Sequence, residues 1–233
     1  MSILWSVWIA LGNINYGYTL TEILILWKFT PWIYDKGYIH KIDRKDRHDF
    51  NVLADKLTFF IAGFVAIITS YFLHYGRRKV LILANLIITF SSWILMIRSF
   101  LFLIIGRWLR GIGIGMLILT IPIFIKEISP HSIRGPLLGL TQFMVTFGIF
   151  LSYLLSFILP DFKTPSPDSE LLYWYSLFDK VFLWQLIFLF PILPSITQIV
   201  LLLVVYKDDS PEYCKFRYKL VFWIKMTIYR KLG

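Results

Sequence analysis

The chain has 233 residues, of which 58% are hydrophobic, 18% aromatic and only 16% charged. A soluble globular domain usually carries about 45 to 50% apolar residues, so this composition excludes an ordinary soluble fold and indicates a membrane protein. The formal net charge of +10 does not indicate nucleic-acid binding, because the basic residues lie between apolar runs, where membrane topology accounts for them. Cys214 is the single cysteine, which excludes an intrachain disulfide.

Six apolar runs follow one another along the chain, each close to the roughly 20 residues that a membrane-spanning helix needs. They are Leu4–Trp27, Leu57–Tyr75, Val80–Ile97, Phe100–Ile125, Pro136–Leu159 and Val181–Tyr206. The first run lacks a basic leader and is longer than the roughly 7 to 15 residues of a signal-peptide core, so we expect it to remain as a spanning helix. The sequence therefore predicts an all-α membrane protein with six transmembrane helices over residues 1–206.

Polar segments connect and follow these helices. Trp27–Asp55, with its DRKDRHDF run, and Pro160–Lys180, with TPSPDSE, are predicted as solvated loops on one face of the membrane. Residues 207–233 are predicted as a basic amphipathic tail on the cytoplasmic headgroups, or as the start of a linker to a second bundle. Lys and Arg residues between the second and third and between the fourth and fifth helices favour cytoplasmic termini.

The first predicted helix carries polar side chains on one face. Asn15, Thr19 and Glu22 are spaced at i, i+4 and i+7, which places them on the same side of a helix. Such a stripe within an apolar run predicts the wall of an internal cavity. Glu22 is its strongest member, because an ionisable residue inside a membrane marks a functional site by default. The alternative is that Glu22 lies near the helix end and reaches water.

The fourth predicted helix carries Arg107 and Arg110, one turn apart in an apolar run. An arginine at the centre of a bilayer costs roughly 2.5 to 3.5 kcal/mol on insertion scales, so both side chains need a polar interior. Glu22 is a candidate partner for either arginine in a charge pair. It is also a candidate proton site. Three glycines follow and predict a close approach of neighbouring helices, at Gly111, Gly113 and Gly115.

The fifth predicted helix repeats the polar pattern. Gln142, Thr146, Tyr153 and Ser156 occur at successive helical offsets, with Ile149 in the intervening turn. The amide of Gln142 offers both donors and an acceptor, which suits a neutral hydroxylated ligand. For Thr146 and Ser156, bonds to their own backbone and helix packing are the alternative.

Short motifs occur at fixed spacing around these helices. Gly76-Arg77-Arg78-Lys79 follows the second helix, and Gly106-Arg107 opens the fourth. The segment from Pro122 to Gly135 reproduces the pattern P-x-x-x-x-E-x-(S/A)-P-x-x-x-R-G, with Gln142, Gly148 and Trp184 further on. Taken together, these motifs resemble those of the sugar porter family of the major facilitator superfamily, from Tyr16 to Tyr213. The resemblance is to the amino-terminal half of that family.

The resemblance implies the amino-terminal half of a 12-helix major facilitator fold, a six-helix bundle built as a 3+3 inverted repeat. It also implies movement of a monosaccharide-type sugar by alternating access. The residues that it places in the sugar pocket are Gln142, Val145 and Ile149, to which the first helix adds Thr19 and Asn15. Those that it places in the cytoplasmic gate are Arg77, Arg78, Glu127 and Arg134.

Two departures from the family pattern bear on the mode of transport and on the partner. Proton-coupled members have an Asp after Gly-Tyr in the first helix, where this chain has Thr19, so facilitative transport is expected. Proton-coupled symport through Glu22 is one alternative, and a non-transporting membrane sensor or partner-binding half-bundle is the other. The chain also corresponds to one bundle of the usual two, which predicts a second six-helix bundle as partner, either a missing half or a second copy.

No enzymatic activity is expected, because the sequence shows no nucleophile beside a base, no metal-ligand cluster and no paired catalytic carboxylates. We accordingly expect no metal and no cofactor. The predicted partners are the lipid bilayer, a small neutral sugar and the second bundle, without nucleic acid. The predicted location is the plasma membrane or an internal membrane, which the chain crosses several times.

Overall fold

The computed structural model describes residues 2–22, 44–97, 100–158 and 187–204, and in this part of the chain all regular structure is helical. The helices are α1 Ser2–Ala10, α2 residues 13–22, α3 Arg44–Phe72, α4 Arg77–Leu95, α5 Phe100–Ile128, α6 Arg134–Ile158 and α7 Ile192–Val204. Short 3-10 helices at Leu73–Tyr75 and His131–Ile133 join α3 to α4 and α5 to α6. A further helical turn at residues 187–189 precedes α7.

Five segments of the described chain are long and apolar enough to cross a membrane. They are Lys56–Tyr75, Arg77–Leu95, Leu101–Ile128, His131–Phe157 and Ile187–Val204. The consecutive helices α1 and α2 correspond to the first predicted span. The predicted all-α membrane fold is confirmed. The predicted tail at 207–233 and the whole loop predicted at Pro160–Lys180 lie outside the described residues.

The second predicted span begins earlier than its apolar run. Helix α3 starts at Arg44 rather than Leu57, so the charged run that was predicted as a loop forms helical turns instead. Opposite charges occur four residues apart in this run, at Lys45 and Asp49, and that spacing favours a helix. Hydropathy identifies the part of a helix that enters the membrane, and it does not report turns that continue beyond the membrane.

The first predicted span is interrupted. The sequence predicted one continuous helix over residues 4–27, whereas the structure has a turn at Leu11 and Gly12 between α1 and α2. The hydrogen bonds across the turn are of the i to i−3 type: the Gly12 amide donates to the Ile9 carbonyl at 3.3 Å and the Asn15 amide to the Gly12 carbonyl at 3.2 Å. Glycine has a low helix propensity, which permits the break.

Helix α5 lies at the centre of the described bundle and contacts α1, α3, α4 and α6. Its glycines permit this packing, as the sequence predicted. A Cβ at Gly115 would overlap the Ala62 carbonyl of α3, and one at Gly113 would lie 3.1 Å from the Ala84 carbonyl oxygen of α4. Leu117 and Ile121 of the same helix are fully buried in the apolar core. Different contacts mark the two ends of the bundle. Ser6 and Ser129 are hydrogen-bonded toward one end, and Glu22 and Arg110 pair toward the other.

Candidate functional site

A buried ion pair joins the end of α2 to α5. Both carboxylate oxygens of Glu22 accept hydrogen bonds from Arg110, and the side chains are 4% and 1% exposed. The guanidinium also donates to the hydroxyl of Ser92 in α4 at 2.8 Å. Of the two arginines left open as partners of Glu22, the structure selects Arg110. Arg107 is buried one turn away on α5.

Aromatic side chains surround this pair. The Arg110 guanidinium carbon lies 5.9 Å from the ring centre of Phe188, within the range of a cation–π contact. Tyr18 stacks on Phe190 with ring centres 4.7 Å apart, and its hydroxyl donates to the Ile187 carbonyl at 2.9 Å. The charges at this end are therefore enclosed by protein, and a low local dielectric strengthens their interaction.

Asn15 and Thr19, predicted as sugar ligands on a cavity wall, are buried inside the bundle instead. The Asn15 amide donates to the Ser195 hydroxyl of the seventh helix at 2.8 Å, and the Thr19 hydroxyl donates to the Asn15 carbonyl at 2.9 Å. The expectation that this stripe faces a cavity therefore does not hold. Within the stripe, Asn15 meets α7, because Ser195 supplies a hydroxyl partner 180 residues away in sequence, which periodicity alone does not reveal, and Glu22 meets α5 through Arg110.

The polar stripe of α6 is accessible along most of its length. Gln142 and Thr146 are exposed, Ile149 is partly exposed, and Val145 is buried against α2. The Thr146 hydroxyl donates to the backbone carbonyl of Gln142 at 3.1 Å, and the other exposed polar side chains of the stripe are the carboxamide of Gln142 and the phenol of Tyr153. Phe143, Phe147 and Phe150 stack along the neighbouring surface with ring centres 6.5 Å apart. A polar ligand on this side of the bundle would meet Gln142.

The four residues predicted for the gate lie at the opposite membrane end from Glu22. Arg77 donates to one carboxylate oxygen of Glu127 through two nitrogens, at 2.9 and 3.1 Å. Arg78 donates to the Leu202 carbonyl near the end of α7 at 2.9 Å, and Arg134 to the Ser129 carbonyl at 3.5 Å. Gly76 begins this motif with φ 119°, a conformation that favours glycine. The bonds of Arg77 and Arg78 join α4 to α5 and α7 within the bundle, and the bond of Arg134 joins α6 to the segment after α5.

The structure adds buried amides to the residues that the sequence indicated. Asn85 of α4 donates to Gln198 of α7, and Gln198 donates to the Ile9 carbonyl, both at 2.8 Å. Asn13 donates to the Thr141 carbonyl at 3.4 Å. A polar residue in an apolar run is itself a signal, so Asn85 and Gln198 were detectable in the sequence. Their pairing was not, because they are 113 residues apart.

Sequence comparison relates the chain to membrane transporters. The profile of the family described as "Sugar (and other) transporter" matches residues 5–219. Hexose transporter 1 of Plasmodium vivax (strain Brazil I) is 33% identical over 146 residues, which cover 62% of this chain and 28% of that protein. Monosaccharide-sensing protein 2 of Arabidopsis thaliana is 34% identical over 116 residues, covering 49% of this chain and 15% of that protein.

Solved structures show the same fold. The inward open xylose transporter XylE from E. coli superposes with a TM-score of 0.69 at 19% identity, covering 91% of this chain and 50% of that one. A D-xylose-proton symporter gives 0.68 at 19% identity, covering 96% and 52%. The chain thus spans about half the length of these structures and less of the curated relatives. Because the family profile matches nearly the whole chain, the protein belongs to the sugar (and other) transporter family.

Proposed function

We propose that this chain forms one wall of a membrane pathway for a small neutral sugar of the monosaccharide type, which crosses by alternating access. The observation that carries the proposal is the exposed carboxamide of Gln142 on α6, within a segment apolar enough to span a membrane. An exposed amide at membrane depth is unfavourable against lipid, and it can donate to and accept from the hydroxyls of a sugar. Family membership supports the same ligand class.

A second six-helix bundle completes this pathway. Gln142, Thr146 and Ile149 lie on a surface that no described helix covers, so a sugar bound there needs an opposite wall. The second bundle is either the remainder of a longer chain or a second copy of this one. Sugar contacts then come from Gln142 and Ile149. Val145, Asn15 and Thr19 support these contacts from inside the bundle, where the structure buries them.

The charged end at Arg77, Arg78, Glu127 and Arg134 supplies the gate of the pathway. The Arg77–Glu127 pair has charge-assisted hydrogen bonds that break and re-form as two rigid bundles rock. We place this end and both termini in the cytoplasm, because Lys and Arg are enriched in cytoplasmic loops. The protein then crosses the plasma membrane or an internal membrane several times.

Facilitative movement is the favoured mode. The sequence supports it, because Thr19 follows Gly17-Tyr18 where proton-coupled members of the family have an Asp, and Glu22 is held in an ion pair with Arg110. A proton-coupled mode through Glu22 and Arg110, with Arg107 beside them, is the second candidate, since a buried ion pair that exchanges partners can carry a proton. Sugar uptake into vesicles with and without an imposed pH gradient separates the two. Equal uptake supports the facilitative mode, and uptake that follows the gradient supports symport.

The substitution Gln142→Ala tests the sugar site. Removing one neutral hydrogen-bonding group loses about 0.5 to 1.5 kcal/mol, so we expect the KM for sugar uptake to rise roughly twofold to twelvefold. Phe150→Leu is the matched control, because Phe150 is exposed on the same helix outside the polar stripe. Uptake and surface expression are measured together. Unchanged uptake kinetics in Gln142→Ala would show that Gln142 does not bind the sugar.

A sensor that binds sugar without moving it is the alternative function. It is favoured by the similarity to monosaccharide-sensing protein 2 of Arabidopsis thaliana, whose name describes sensing rather than transport. Equilibrium binding of radiolabelled sugar, combined with flux measurements in reconstituted vesicles, distinguishes the two functions. Binding without flux would establish the sensor, and binding with saturable flux would establish the transporter.

A further inference from the structure

The break in the first span lies beside a buried pair of side-chain amides. Gln198 of α7 is 1% exposed and Asn85 of α4 is fully buried. The Gln198 nitrogen donates to the Ile9 carbonyl at 2.8 Å, and this same carbonyl accepts the amide of Gly12 within the turn. Gln198 therefore binds a backbone group at the position where the regular helix stops. Backbone at membrane depth needs such a partner, because neither lipid nor apolar side chains can provide one.

The orientation of both amides follows from their surroundings. The Ile9 carbonyl can only accept, so the nitrogen of Gln198 must face it and the oxygen of Gln198 must face Asn85. The Asn85 nitrogen then donates to that oxygen and to the Leu81 carbonyl, both at 2.8 Å. The result is a directed chain of hydrogen bonds from α4 through α7 to the end of α1. A hydrophobic side chain at position 198 would interrupt it.

Gly12, at the break, also packs closely against the side chain of Gln198. A Cβ on Gly12 would overlap the carboxamide of Gln198, so Gly12 and Gln198 occupy adjoining space with no room for a methyl group. Directly after Gly12, the side chain of Asn13 donates to the Thr141 carbonyl at 3.4 Å. Thr141 precedes Gln142, the residue to which the sugar contact is assigned. A continuous set of contacts thus leads from Gln198 through the turn to the backbone of α6.

We propose that Gln198 is a positioning residue for the sugar site: it holds the turn at Gly12, and through Asn13 it sets the position of the α6 wall that carries Gln142. The proposal rests on the proposed function for its sugar readout only. Gln198 itself is buried and does not touch the ligand. Asn85 acts with it by fixing the orientation of its amide.

The substitution Gln198→Met tests this role, because methionine has a similar length and forms neither hydrogen bond. We expect the KM for sugar to rise about tenfold while the maximal rate, normalised to the protein at the membrane, changes less than twofold. A purely structural role would instead lower the amount of protein and leave the KM unchanged. Thr197→Val is the matched control, because Thr197 is exposed on the same helix and bonds only to carbonyls of its own helix. An unchanged KM in Gln198→Met overturns the proposal.

A second measurement does not depend on sugar transport. In a Cys214→Ala background, Thr146→Cys places one thiol on the exposed stripe of α6, and its reaction rate with a membrane-impermeant maleimide is recorded. We expect Gln198→Met to change that rate at least threefold and Thr197→Val to leave it unchanged. A changed rate in a protein that moves no sugar would support the positioning role and count against the proposed function. Equal rates in Gln198→Met and its parent overturn the positioning role.

The pair Gly12→Ala and Gln198→Ala tests the shape of the contact. The new methyl group meets the Gln198 carboxamide, so Gly12→Ala should lower the melting temperature of the detergent-solubilised protein more in the parent than in the Gln198→Ala background. Such non-additivity is the expected mark of two residues in direct contact. Equal decreases in both backgrounds would show that Gln198 does not restrict the turn.

Discussion

Charged side chains inside the bundle are compensated within it. Glu22 and Arg110 neutralise each other, and the hydroxyl of Ser92 takes a further N–H of the guanidinium. The pair joins three helices, α2, α4 and α5, at one membrane end. Burying two charges is costly, so such a pair contributes little to stability relative to apolar side chains, although removing one partner leaves an uncompensated charge.

The substitution Glu22→Gln should destabilise the protein more than the loss of one hydrogen bond. Removing one partner of a buried pair costs about 3 to 5 kcal/mol, because the other charge remains buried. The double substitution Glu22→Gln/Arg110→Gln should cost less than the sum of the two single changes. Thermal unfolding of the detergent-solubilised variants measures this, with the exposed Lys79→Gln as control. Additive losses would contradict a direct pairing.

Helix packing in this bundle depends on the absence of side chains at a few positions. Between α2 and α6 the backbones approach closely, since a Cβ at Gly17 would overlap the Val145 carbonyl and one at Gly148 the Ile14 carbonyl. Van der Waals contact between such small residues is a main source of helix association within lipid. The contact also explains why Val145 is buried rather than exposed beside Gln142.

Alanine at Gly148 should therefore destabilise the bundle, whereas alanine at Gly139 of the same helix should not. Overpacking typically costs 1 to 3 kcal/mol. Nothing lies within 4 Å of a Cβ at Gly139, so Gly139→Ala should raise stability by up to about 1 kcal/mol through helix propensity. The fraction of each variant that elutes as a monodisperse species after graded heating gives the comparison. Equal behaviour of the two variants would exclude close packing at Gly148.

The helices of the described bundle differ in how much of their surface is buried by other helices. In an apolar 18-residue stretch of the α6 span, 22% of the residues are buried, against 56% in the corresponding stretch of α5, so this part of α6 presents most of its surface outward. Part of that surface faces lipid, for which its phenylalanines are suited. The part that carries Gln142 needs a polar neighbour, which is the reason for proposing a second bundle there.

The size of the native protein tests that proposal. Membranes are probed with an antibody to the Trp27–Asp55 segment, and the Thr146→Cys variant in a Cys214→Ala background is cross-linked. A native band near twice 27.6 kDa would identify the second bundle as part of a longer chain. A native band near 27.6 kDa that cross-links to twice that mass would identify a second copy. A non-cross-linking 27.6 kDa protein that moves sugar alone would refute a second bundle.

Hydropathy and motif spacing were sufficient to predict the all-α membrane class and the resemblance to a transporter family, because each depends on residues close together in the chain. Helical periodicity also predicted that Asn15, Thr19 and Glu22 share a face, and that Gln142 lies in a polar stripe. Only the tertiary structure decided which surface each stripe meets. Asn15 and Thr19 are buried, with Asn15 bonded to α7, while the stripe of α6 is largely exposed.

The tertiary structure also decided which partners pair. Arg107 and Arg110 are one turn apart and equally suited to Glu22 by sequence, and the packing of α2 against α5 selects Arg110. Gly12 at the turn adjoins the carboxamide of Gln198, 186 residues further along the chain, and no local pattern connects the two. The hydrophobicity and helix propensity of neighbouring residues specify the helices. Contacts between distant residues depend on how those helices pack, and packing is a property of the folded molecule.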